Sequence, residues 1–191
     1  MTGFKFNIRR LRWLAKAVYV RFPNGEVWAA KPGPMTVLIK AVTEVFAPQF
    51  LLTPVVVRAN LPGGATSLRG DDLCESLGFP MVALKDFPEV TLADASPEDF
   101  NIIFVSVAPT PKKGGGMTNT RKERLLCSAL ATGLQPMNVR FVSAFADRRS
   151  PAFRNLVSKL AWGTLVWFAS EPNKLLAFRE GQTVELPGFL R

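Results

Sequence analysis

Pro88-Glu89-Val90-Thr91-Leu92-Ala93-Asp94, followed by Asn101-Ile102-Ile103-Phe104-Val105-Ser106-Val107-Ala108, decides how this chain is read. Both runs are rich in β-branched and aromatic residues, which pack well on a pleated surface, so both predict strands. Between them, Ala95-Ser96-Pro97-Glu98-Asp99 is polar and turn-forming, which predicts a hairpin. An acid, Glu89, stands at the mouth of the first strand, and Ser106 lies near the end of the second.

Working outward, residues 52–58 read as a buried strand and residues 35–46 as a helix before it. That helix shows one apolar face of Val37, Leu38, Ala41, Val42, Val45 and Phe46, and Pro48 is expected to end it. Pro62-Gly63-Gly64 is a turn, and residues 71–77 a short helix capped by Gly78. Downstream, residues 118–134 predict a helix, 138–145 a strand, 151–160 a helix, and 164–170 and 175–179 two last strands. Helices alternating with strands around a hairpin predict an α/β layer, a mixed sheet flanked by helices.

Upstream of the break Lys31-Pro32-Gly33-Pro34, residues 8–16 predict a short helix. Its inner face is Ile8, Leu11 and Leu14, and its outer face Arg9, Arg10, Arg12 and Lys16. Residues 17–22 and 26–30 flank Pro23-Asn24-Gly25, a strong hairpin signal. Residues 1–31 are therefore expected to form a small basic appendage, and residues 32–191 the main domain.

Composition removes whole classes of chemistry. The chain has 191 residues and no His, which excludes a Ser-His-Asp triad, a Cys-His dyad and an HExxH zinc site. Its two cysteines, Cys74 and Cys127, are too few for a thiolate zinc site or a disulfide framework. Any metal would be held by oxygen, which points to Mg²⁺ or Mn²⁺. No apolar run is long enough to span a membrane, and the N-terminal stretch lacks the apolar core of a secretion signal. A cytoplasmic location is the expectation.

The formal charge is +9 and it is unevenly placed. Residues 1–40 carry a net +7, residues 41–111 a net −6, and residues 112–159 a net +8. Two basic flanks around an acidic middle suit a nucleic acid, whose phosphates reward clustered Lys and Arg through counterion release. A solubilising charge, or an acidic protein partner, is the plainer alternative.

Two acids on neighbouring strands of a hairpin are a common way to hold the Mg²⁺ that activates water for phosphodiester cleavage. Glu89 suits the first position, Glu44 on the preceding helix is a candidate third donor, and Asp94 is a further acid nearby. The second-strand position carries Ser106, and two residues on stands Ala108 rather than Lys. Read alone, the acids of this hairpin are as well explained by exposure to water. Lys112-Lys113-Gly114-Gly115-Gly116 opens the next helix but lacks the Gly-Lys-Ser/Thr ending of a nucleotide loop, so it reads as a flexible surface loop. Cys127, Trp162, Trp167, Phe168 and Phe178 are expected in the core. Arg121, Arg148 and Arg149 are candidate phosphate contacts, with Asp147 capping locally.

Several blocks then line up. They are Pro32-Gly33-Pro34, Leu38 through Phe50 with its Ala-Pro-Gln-Phe ending, Phe87-Pro88-Glu89, Val142-Ser143-Ala144-Phe145-Ala146-Asp147 and Ala161-Trp162-Gly163-Thr164-Leu165-Val166-Trp167. In this order they resemble the C-terminal catalytic domain of BsuBI/PstI-type restriction endonucleases from about residue 32 onward. The resemblance implies a PD-(D/E)XK fold, double-stranded DNA as substrate and Mg²⁺-dependent hydrolysis. It places the family's first acid on Glu89 and its helix acid on Glu44, while the second-strand acid falls on Ser106. The family's helix-turn-helix-rich N-terminal half has no counterpart in these residues. Three readings follow. The chain is a DNA-binding protein with a degenerate metal site, a non-cleaving subunit of a defence or nucleoprotein complex. Or it is an active endonuclease with Glu44, Glu89 and Asp94 on Mg²⁺ and Lys112 or Lys113 replacing the lysine. Or it is a protein-interaction module. Homodimerisation or a partner subunit is expected for the first two.

Overall fold

The structure, a computed structural model, describes residues 16–63, 87–96, 100–111 and 115–179. In chain order it begins with strands β1 (Val18–Arg21) and β2 (Val27–Ala30) and helix α1 (Pro34–Ala41). A π-helical turn (Val42–Phe46) leads into α2 (Ala47–Phe50), then β3 (Pro54–Ala59), β4 (Val90–Ala95) and β5 (Phe100–Val107). Helix α3 (Asn119–Leu130), β6 (Val139–Phe145), α4 (Pro151–Leu156), β7 (Thr164–Phe168) and β8 (Leu175–Phe178) complete it. The helices expected at 8–16 and 71–77 lie outside the described residues, apart from Lys16, as do Arg9, Arg10, Arg12, Lys112 and Lys113.

The expected mixed sheet is present, in the order β3-β4-β5-β6-β7-β8. β3, β4 and β5 run antiparallel, β5, β6 and β7 run parallel, and β8 returns antiparallel at the edge. The parallel steps need crossovers, and α3 and α4 supply them. Strand alternation divides the side chains between two layers. Val90, Leu92, Ile103, Val105, Val107, Val142 and Ala144 face one core with α1 and the π turn. Ala93, Ile102, Phe104 and Phe141 face the other way, onto Leu125 and Ala129 of α3. A smaller cluster of Phe145, Ala152, Leu156, Val166 and Phe168 sits under α4.

The expected β1–β2 hairpin forms around Gly25, whose φ of 85° a side chain would strain. Its Val20, Phe22 and Ala30 are buried in the same core as Trp167. Two details differ from the expectations. First, Pro48 does not end the helix. The π turn inserts before it, and Pro48 falls in the first turn of α2, where its missing N–H is no loss. The buried face also differs: Ile39 and Ala47 are buried while Val37 and Val45 are exposed. Second, Cys127 lies on the exposed side of α3, about half a turn from buried Leu125 and Ala129. Trp162 is 55% exposed, whereas Trp167 is fully buried against Phe46.

Asp94 is buried at the far end of β4, where its carboxylate accepts the main-chain N–H groups of Thr53 at 2.7 Å and Leu52 at 3.1 Å. It fastens the entry of β3 and has no share in the Glu89 site. Asp94→Ala leaves two part-buried N–H groups without an acceptor. It is expected to lower unfolding stability by about 1–3 kcal/mol. A urea titration checks this, with a lower midpoint at unchanged slope.

Candidate functional site

Glu89 precedes β4, and its main-chain carbonyl accepts the N–H of Asn60 at 2.8 Å, extending the β3–β4 ladder by one step. Continuing the β4–β5 register from Val90 opposite Val105 brings Glu89 opposite Ser106. Residues 89 and 106 both point to the α3 side of the sheet, the side of Phe104 and Ala93. Glu89 Oε2 accepts the Val107 N–H at 2.8 Å and lies 3.4 Å from Ser106 Oγ. Its Oε1 lies 3.4 Å from Arg121 Nη2.

Arg121 comes from the first turn of α3, whose N-cap is the Thr118 hydroxyl. Its guanidinium reaches down to the strands and donates to Ser106 Oγ at 2.6 Å through Nη1. Nη2 also donates to the Phe87 carbonyl at 3.4 Å. The Gly116 N–H donates to the same Ser106 oxygen at 2.9 Å. A serine hydroxyl has two lone pairs and one proton. Arg121 and Gly116 take the lone pairs and Glu89 faces the proton, so this buried hydroxyl is saturated.

A second serine supports the arrangement. Ser143 on β6 stands beside Ser106 on β5 and accepts the Met117 N–H at 2.8 Å. Consecutive N–H groups of the chain entering α3 are thus pinned by consecutive strands. Gly115 runs so close to Ala108 that a Cβ on it would lie 2.7 Å from the Ala108 Cβ. Main chain therefore covers the end of β5. The residue-level reading passed over Ser143. Its signal was the repeated Phe104-Val105-Ser106 and Phe141-Val142-Ser143, which pair residue for residue. It also passed over Arg58, whose guanidinium lies 4.8 Å from the centre of the Phe87 ring.

The other residues singled out are placed elsewhere. Glu44, in the π turn, accepts the Arg21 N–H at 2.7 Å and pairs with Lys40 at 3.1 Å, fastening the hairpin to its helix. Among the described residues no three His, Cys, Asp or Glu side chains gather as a metal site would require. Lys16 is exposed ahead of β1. Asp147 pairs locally rather than capping α4, whose N-cap is Ser150: the Asp147 Oδ1 accepts the Arg149 N–H at 2.6 Å within the turn. That bond, then the Ser170 side chain and the charges of Arg149 and Arg148, hold its carboxyl below the ordinary range. This turn bond is therefore intact at neutral pH and is lost only as the pH falls through that lowered pKa. Arg148 is exposed and lies 3.5 Å from Glu171. No helix among the described residues is long and apolar enough to cross a membrane.

This geometry has counterparts. The sequence profile of the BsuBI/PstI restriction endonuclease domain matches residues 18–181, hairpin included. The Type II restriction enzyme BsuBI of Bacillus subtilis is 25% identical over 159 residues, which is 83% of this chain and 47% of that enzyme. The solved structure of SdaI restriction endonuclease superposes with a TM-score of 0.75 at 21% identity, over 93% of this chain and 53% of that one. The chain thus spans about half the length of these two proteins. The SdaI likeness shows a restriction-endonuclease-like fold, a mixed sheet flanked by helices with the small hairpin beside it. With a profile matched over most of its length, the chain belongs to the BsuBI/PstI restriction endonuclease domain family.

Proposed function

We propose that this chain binds double-stranded DNA on a restriction-endonuclease-like scaffold whose metal site is degenerate, and that it does not cut. The observation that carries the reading is the Arg121 guanidinium, 2.6 Å from Ser106 Oγ and 3.4 Å from the Glu89 carboxylate. The family resemblance puts a divalent cation between those two positions. Mg²⁺ wants near-octahedral oxygen donors, usually with more than one negative charge among protein and phosphate. The described residues offer one carboxylate, already paired with a fixed positive charge, and one hydroxyl without a free lone pair. That set does not fit Mg²⁺. Gly115 packs over Ala108, the position of the family's lysine, so a longer side chain there meets main chain.

Binding rests on different residues from cutting. The two basic stretches of the sequence supply phosphate contacts, and Arg148 and Arg149 lie at the exposed turn after β6. The same scaffold without cleavage fits a subunit that holds DNA for a partner. The active-endonuclease reading keeps one point in its favour, the retained Pro88-Glu89 step.

Supercoiled plasmid incubated with Mg²⁺, Mn²⁺ or EDTA is expected to shift on a gel in every lane and to stay uncut. Metal-dependent cutting that disappears in Glu89→Ala would overturn the proposal. Affinity for duplex should fall about a hundredfold between about 50 and about 200 mM salt, as about four phosphate contacts would give. Reversing Arg148 and Arg149 to Glu should weaken duplex binding and leave the melting temperature within about 2 °C, because exposed ion pairs add little stability. An unchanged affinity would remove those two arginines from the interface.

A further inference from the structure

Trp162 is a large aromatic side chain left 55% exposed on a backbone that has no freedom to hide it. The Ala161 N–H donates to the Met117 carbonyl at 2.8 Å, and the Gly163 N–H to the Phe178 carbonyl at 2.6 Å. The Trp162 carbonyl itself accepts Lys122 Nζ at 2.6 Å. Gly163 takes a φ of 71°, and a Cβ there would sit 2.8 Å from Lys122 Nζ, so the glycine is what lets the lysine in. The indole rests against the Phe178 ring at 6.0 Å and leaves the rest of its surface to water.

Basic residues stand close to this ring along the chain. Lys122 touches its main chain, Lys159 is exposed three residues upstream, and Arg179 is exposed next to Phe178 on the edge strand. Lys122 is also the residue after Arg121, so the ring and the Glu89 site lie on either side of the first turn of α3. An aromatic face on a fixed backbone, with one lysine bonded to its carbonyl and two further cations, both exposed, close in the chain to the ring and its Phe178 neighbour, offers stacking and charge together. A protein core offers the first without the second, and an acidic protein surface needs the second without the first. Nucleotides match both, because each carries a π face and a phosphate.

We propose that Trp162 is a nucleic-acid contact that stacks on an unpaired base, with Lys122, Lys159 and Arg179 on the flanking phosphates. The inference rests on the DNA-binding reading above and adds a preference for DNA that displays bases, such as a single strand or a frayed end. A fixed ring pays little ordering cost on binding, so even one stacked base contributes measurably.

The test uses the whole chain with fluorescently labelled oligothymidine and a labelled duplex of equal length. Anisotropy should show Trp162→Ala losing about tenfold in affinity for oligothymidine, the scale of one stacked base. Trp162→Phe, which keeps a π face, should stay within about threefold of the parent. Duplex affinity should change by less than about threefold in both variants, since phosphate contacts are untouched. Oligothymidine should quench tryptophan emission in the parent and less so in Trp162→Phe. Oligothymidine affinity and quenching unchanged in both variants, with duplex binding intact, would overturn the stacking proposal alone. Loss of all DNA binding in the parent chain would overturn the DNA-binding reading as well. Equal losses for duplex and single strand in Trp162→Ala would refute the preference for unpaired bases.

Discussion

The hydroxyl of Ser106 is the point on which the site depends. It is buried, and it joins a strand, a glycine-rich entry, a helix and an acid through one oxygen. Without it the Gly116 N–H and Arg121 Nη1 would lose this acceptor, while Glu89 would keep the Val107 N–H and Arg121 Nη2. Arg121 is drawn down from α3 onto the sheet, and the main chain at Gly116 is held against β5. Ser143 repeats the device on the next strand, so α3 is aligned by two hydroxyls before its apolar face packs on Phe104 and Phe141. Polar pairing of this kind fixes position more than it adds net stability.

On the degenerate-site reading proposed above, the same oxygen marks where the family's layout and this chain's chemistry part company. A second carboxylate at Ser106 would bring another negative charge beside Glu89 and call for a cation. Here the cation is built in as a guanidinium. Arg121 neutralises Glu89 with one charge and fixed directions, where a metal brings two charges and exchangeable positions. What remains is a satisfied, low-charge patch at the end of β5.

Much of the layout was legible because alternation is strict. The pair of runs around residues 95–99 gave β4 and β5, and their parity set Glu89 and Ser106 on one face. Parity puts Asp94, five residues after Glu89, on the other face, a constraint that its reading as a metal donor on nearness in sequence left unapplied. Glu44 was harder to place. Its partners, the Arg21 N–H and Lys40, depend on a hairpin docking onto a π turn, and no local pattern announces a one-residue insertion in a helix. Arg121 was legible as a cation near a helix start, but its inward direction follows from Thr118 capping and Gly116 pinning, both tertiary facts. Trp162 read as core because aromatic runs usually are. Its exposure follows from Gly163 turning the backbone outward before β7 begins.

The shared core of the N-terminal hairpin bears on the order of assembly. Val20, Phe22 and Ala30 share their cluster with Trp167, nearly 150 residues after Val20. A chain emerging from its N-terminus holds that apolar face open until the parallel strands arrive. The hairpin forms quickly by itself but is seated late, once the distant strands that complete its core have arrived.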